Sequence, residues 1–324
     1  MNIDYIAEVK QDGCNIKFVP EDLLTDRLCC LAVESSPWAL EFIPEMFLTS
    51  EICRIAVKKS GNSLKYVPPG KRTEKICLLA LRNSPGAFDY IPKDLITADF
   101  CMKAVRASPH TLAYIPSEFK TPELCLAAVK KNGSALMFWG ETILDYLTYY
   151  EAILSNPLAL ENVPDVLCDS ELCQLSVEKL SYMLAFVPQK LRNPEICLTA
   201  VKNEGRMLAF TPWLLRTPEI CFAAVKNDGW ALAYVPWNVR IEKICMTAVS
   251  GDGRTLQYVP PDLRTATLCA AAVANRGAAI VYTGVIPCIK TFLAAAVEND
   301  YRMLAYVPDE DRSPKLCALA VKSC

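Results

Sequence analysis

Residues 217–240 read TPEICFAAVKNDGWALAYVPWNVR, and this stretch decides the fold because variants of it recur along the whole chain. Thr217 suits a helix N-cap, Pro218 the first helical position, and Glu219 the positive end of the helix dipole. The run Ile220 to Val225 reads as helix ending near Asn227 to Gly229. A helix of about ten residues is too short to stand alone in water. This one is apolar almost all round, which predicts burial between neighbours. Trp230 to Val235 predicts a second, shorter helix, partly 3₁₀, stopped by Pro236. Trp237 to Arg240 leads into the next unit.

Outward from Cys221, cysteine returns every 24 residues: Cys29, Cys53, Cys77, Cys101 and Cys125, then Cys173, Cys197, Cys221, Cys245 and Cys269. Tyr5 opens the register, Tyr149 and Leu293 fill its gaps, and Cys317 closes it, making fourteen positions with no insertion or deletion. Call the cysteine position 0. Position 3 is alanine in twelve of the fourteen units, and position 4 is aliphatic in all, from Val9 to Val321. Position 13 is aromatic except at Asn162, and position 15 is proline except at Gly140 and Gly284.

Self-similarity at such a period marks a stacked repeat architecture. Alanine and cysteine are small, so successive helices can approach at the close end of the ~8–10 Å packing range. The leucine and aromatic columns fill the second-helix side, and no unit can bury its face alone. The fold class expected is all-α, an α-solenoid of about thirteen 24-residue helix-turn-short-helix repeats. It is expected to form one elongated domain over 1–324, with irregular units near 139–150 and 283–293.

The chain has 324 residues, 52% of them hydrophobic, which excludes disorder. No apolar run nears the ~18 residues of a membrane span, and the net charge of −2 gives no bulk attraction to nucleic acid or anionic lipid. Tyr5 and Val9 already stand in register, so no cleaved leader is expected. Eleven of the sixteen cysteines share the core column. Equivalent α-carbons ~9–10 Å apart exceed the ~7 Å reach of a disulfide, so reduced, buried thiols are expected. Cys29 with Cys30, and Cys168 with Cys173, are the only close pairs. With no paired Cys-x-x-Cys and a single histidine, neither metal nor cofactor is expected.

Catalytic signatures are missing: no phosphate loop, nucleophile elbow or zincin motif occurs. His110 would have to carry any imidazole chemistry, yet Asn62, Ser134, Tyr182, Arg206 and Trp230 fill its place elsewhere. Glu51, Glu123, Glu171, Glu195 and Glu219 share a helix-start column, where they offset the dipole. Two other columns point to binding. Position 19 is basic at Arg72, Lys120, Arg192, Arg216, Arg240, Arg264 and Arg312. It reads either as a basic ridge or as a salt-bridge ladder, since Glu195 and Glu219 follow Arg192 and Arg216 by three residues. Trp213 and Trp237 hold position 16 in adjacent repeats, where other units place Glu45, Lys93 or Gln189. Trp230 stands at the variable position of His110. Exposed tryptophan beside arginine is typical of binding hot spots. The candidate partner-binding residues are Trp213, Trp230, Trp237, Arg192, Arg216, Arg240 and Arg264.

The unit at 217–236, with its Cys-x-x-Ala-Val and aromatic-x-Pro elements, resembles the repeat of the family catalogued as domain of unknown function 4116. The resemblance covers almost the whole chain and brings no catalytic residue. It implies proteins of bacteria, viruses and eukaryotic microbes, often resembling secreted effectors of host-associated bacteria. The expected function is a non-enzymatic, monomeric scaffold that binds a protein, and neither nucleic acid nor membrane. Its expected location is the cytoplasm, or a host cytosol if it is an effector. The alternatives are an enzyme with a site at an irregular repeat, around Trp139–Tyr150 or Thr283–Leu293, and a self-associating spacer.

Overall fold

A computed structural model describes residues 4–140, 143–283, 294, 296–298, 300–307 and 312–322. Most of the irregular stretch at 283–293, together with Pro308 and Cys324, lies outside them. The chain divides into two compact units, Met1–Pro164 and Asp165–Cys324. Each is an all-α solenoid of stacked 24-residue repeats, and the described residues contain no strand.

In the repeat read above, the α-helix spans Pro218–Asn227 and the Thr217 hydroxyl accepts from the Ile220 amide at 3.4 Å. The same cap recurs with Thr49, Thr97, Thr121, Asp145, Asp169, Asn193 and Thr265. Each satisfies one of the amides that a helix start leaves unpaired. The second element is 3₁₀ throughout, Gly229–Tyr234. A further 3₁₀ turn, Trp237–Val239, follows Pro236 where a plain connector was expected. Proline at position 15 presets the backbone that opens this turn, and the turn closes on Arg240.

Burial follows the columns. Ile220, Cys221, Ala224 and Val225 are buried, as are Leu28, Cys29, Ala32 and Val33 eight repeats earlier. Phe222 and Ala223 are half-buried, so the helix has an outer face after all. The 3₁₀ helix Gly205–Phe210 lies against its own α-helix, Pro194–Asn203, and the next one, Pro218–Asn227, and such contacts join the repeats of a unit into a continuous core. The cysteines of the described column are free thiols, and those from Cys29 to Cys269 have no exposed surface. The core tightens further at Gly205, where a β-carbon would collide with the Ala224 carbonyl of the next repeat.

Tyr149 shows how the register absorbs an exception. It is buried at the cysteine position, and its hydroxyl accepts from the Leu144 amide at 3.3 Å. At Cys53, Cys77 and Cys221 the thiol instead donates to the carbonyl five residues back, Cys221 to Arg216 at 3.5 Å. Gly140, in place of proline, has φ +105°, a left-handed conformation that favours glycine.

Candidate partner-binding surface

The position-19 arginines have a structural task. A 3₁₀ helix ends in carbonyls without intrahelical partners, and a guanidinium offers a planar fork of donors to meet them. Arg216 donates from Nε to Thr211 O at 3.0 Å, from Nη2 to Ala209 O at 3.2 Å, and from Nη1 to Tyr234 O at 2.7 Å. The first two carbonyls end its own repeat's 3₁₀ helix, and the third ends the next repeat's. Arg192 repeats the pattern on Val187, Ala185 and Phe210, and Arg240 on Val235, Ala233 and Tyr258. Arg264 binds Val259 and Tyr282, and Arg72 clamps Val67, Lys65 and Tyr90. Lys120 makes a single bond, to Phe138 O at 3.0 Å.

This corrects both readings of the column. Among the described residues neither Arg192 nor Arg216 pairs with the glutamate three residues on, so no salt-bridge ladder forms. Nor do Arg192, Arg216, Arg240 and Arg264 form a ridge of donors facing outward, because those donors are committed to backbone oxygens. Arg240 is buried, and desolvation pulls its pKa below the usual arginine value.

A second tie was not read from the sequence. Asn227, at position 6, accepts from the Gly205 amide at 2.8 Å and donates to Lys202 O at 2.9 Å, both in the preceding repeat. Asn275 does the same to Gly253 and Ser250. The recurrence of Asn and Ser at this position (Ser35, Asn83, Ser155, Asn227, Asn275) was the available signal.

Trp230 belongs to a third tie. Its indole N–H donates to Asp252 Oδ2 at 3.3 Å, and its ring meets Tyr258 edge-on at 6.1 Å. Arg206 makes the matching reach one repeat earlier, to Asp228 at 2.9 Å. Trp38–Tyr66, His110–Phe138 and Tyr182–Phe210 share the edge-on geometry. In these units position 9 leans on the next repeat, and His110 is one more ring in that series. Arg254 covers the Trp230 ring at 5.0 Å and holds Asp252 through Nη2 at 2.7 Å. That bond keeps the Asp252 carboxyl well below its ordinary range, at about 2.

Trp213 and Trp237 differ from all of these. They are 68% and 65% exposed, and Leu214 beside Trp213 is 76% exposed. The Arg240 guanidinium stacks on Trp237 at 4.3 Å, so the clamp side chain also backs the exposed indole. No hydrogen bond or ring contact joins either tryptophan to Trp230. The seven candidate residues thus divide: Trp213 and Trp237 face outward on clamped turns, while Trp230, Arg192, Arg216, Arg240 and Arg264 tie repeats together.

Depressions lie elsewhere, among them one of about 500 Å³ lined by Tyr5, Leu23, Arg27 and Leu31. A groove of about 540 Å³ has Leu198, Phe222 and Ala223 as its floor and Lys202 and Lys226 on its rim. A smaller one of about 270 Å³ is lined by Ser134, Asn156, Glu161 and Asn162, where the aromatic column lapses. Among the described residues no cluster of three or more His, Cys, Asp or Glu could hold a metal ion. No helix among them is long and apolar enough to cross a membrane.

Four stretches, residues 28–70, 49–96, 97–144 and 193–240, match the profile described as Domain of unknown function (DUF4116). No curated protein sequence matches the chain.

Proposed function

We propose, from the premise that this chain belongs to the DUF4116 family, that it is a non-enzymatic repeat scaffold binding one protein partner as a monomer. The observation that carries this reading is the pair of exposed tryptophans on consecutive repeats. Large apolar side chains are costly to leave in water, and Trp is the residue most enriched at binding hot spots. Trp213 and Leu214 are each more than two-thirds exposed, and Trp237 nearly so. They sit on turns pinned at both ends, by Pro212 and Arg216 and by Pro236 and Arg240. A partner meeting them would have little loop entropy to remove, which is how preorganised surfaces gain affinity.

The arginines contribute as scaffold: they fix the turns on which the indoles stand. In a host cytosol, which the resemblance to effector-like proteins implies, the partner would be a host protein. Proximity labelling in the native cell, with wild type beside Trp213→Ala plus Trp237→Ala, tests the reading. A defined protein labelled by the wild type and lost in the variant is expected. An identical labelled set would overturn the assignment of this surface.

A further inference from the structure

Cys168 occupies position 19, which is the clamp arginine in the next repeat, Arg192, and a leucine in the preceding one, Leu144. Its Sγ lies 3.7 Å from Sγ of Cys173, which stands at the core position five residues on. In other repeats the residue at position 19 offers the core thiol its carbonyl, as Arg216 does to Cys221, Arg72 to Cys77 and Leu48 to Cys53. Among the described residues this is the one place where two thiols face each other. The sequence puts cysteine at position 19 once more, at Cys288, but there the core position is Leu293, so no second pair can form.

The two sulfurs differ in access. Cys168 is half-buried, next to the Asp169 cap, and Cys173 lies fully buried in the first turn of the helix Ser170–Lys179. We infer that Cys168 and Cys173 form a modification site, an attacking and a resolving thiol that a small organic disulfide converts to an intramolecular disulfide. The Cys168 thiolate attacks one sulfur of the small disulfide and expels the other as a thiolate, leaving a mixed disulfide on Cys168. Cys173 then gives up its proton and attacks Cys168 Sγ, releasing the second small thiol. Two protein thiols are oxidised and one small disulfide is reduced to two thiols.

The hydrogen bond between the two thiols suits this order. The Cys173 thiol, hydrogen-bonded to Cys168, draws the Cys168 pKa below the usual thiol value, against burial and the Asp169 and Asp165 charges and with a small contribution from Lys190. The same bond and burial push Cys173 up, so it stays a thiol until the mixed disulfide is presented to it. An accessible, lower-pKa thiol beside a resolving cysteine is the general pattern of redox-active sites.

The reduced full-length chain, treated with oxidised glutathione and digested without reduction, tests this by mass spectrometry. The expected product is a Cys168–Cys173 cross-link, lighter by two hydrogens, formed ahead of modification at Cys14, Cys30 or Cys317. Cys173→Ala should instead trap glutathione on Cys168, and Cys168→Ser should abolish the early product. Early modification of other cysteines with Cys168 still reduced would overturn the proposal, as would a glutathione adduct that persists unresolved in the wild type.

Discussion

Arg216 Nη1 donates to the carbonyl of Tyr234, eighteen residues on, at 2.7 Å. With its two shorter-range bonds it ends two 3₁₀ helices at once, so one side chain couples a repeat to its successor. Hydrogen bonds to charged groups contribute about 1.5–3 kcal/mol where they are protected from water. Arg216→Ala is expected to lower unfolding free energy by about 2–3 kcal/mol, measured by urea denaturation. Arg216→Lys should recover only part, because Lys120 shows what an ammonium manages at this position: one bond, to Phe138.

Close approach gives a second outcome. Gly205 lies under the Ala224 carbonyl, and its amide is held by Asn227. Gly205→Ala must push the two repeats apart, at the roughly 1–3 kcal/mol that overpacking costs. Gly251 has open space around it, so Gly251→Ala should be neutral or stabilising in the same assay.

Thiol chemistry should follow burial and charge. Desolvation pushes Cys125 up to about 12 and Cys221 and Cys245 to about 11, so these remain thiols well past neutrality. Time-resolved alkylation near neutral pH is expected to label Cys168 while these three stay unmodified in the native state. Their labelling should appear together with unfolding as denaturant is added.

Asp252 makes acid stability readable. Its bond to Arg254 depresses its pKa to about 2 in the folded chain, against about 3.9 for an unperturbed aspartate. Its contribution is therefore complete above about pH 4 and fades as pH falls through about 2. Asp252→Asn should flatten the dependence of the thermal midpoint on pH across that window. It should also release the Trp230 ring, visible as a shift in tryptophan fluorescence.

The stack was legible because its causes are local and repeated. Cysteine, alanine and valine at positions 0, 3 and 4 announce a close helix seam, and Thr217–Pro218 announces where the helix starts. The task of the position-19 arginines was not legible. Sequence spacing brings Arg216 near Glu219, but the unpaired carbonyls of Ala209, Thr211 and Tyr234 form a better acceptor set, and only the fold gathers them. Trp230 was misplaced for a related reason: a variable position reads as free surface, yet Trp230 and Arg206 each lean on the next repeat by different chemistry, indole on Asp252 and guanidinium on Asp228. Trp213 and Trp237 lie where the sequence put them, on the outside.

The binding claim is tested most directly by the affinity of the chain for the protein that proximity labelling identifies, measured by titration calorimetry. Trp213→Ala and Trp237→Ala are each expected to weaken it by about thirty-fold, the effect of a hot-spot residue, with unchanged thermal midpoints. Unaltered affinity in the double variant, with the fold intact, would contradict the account.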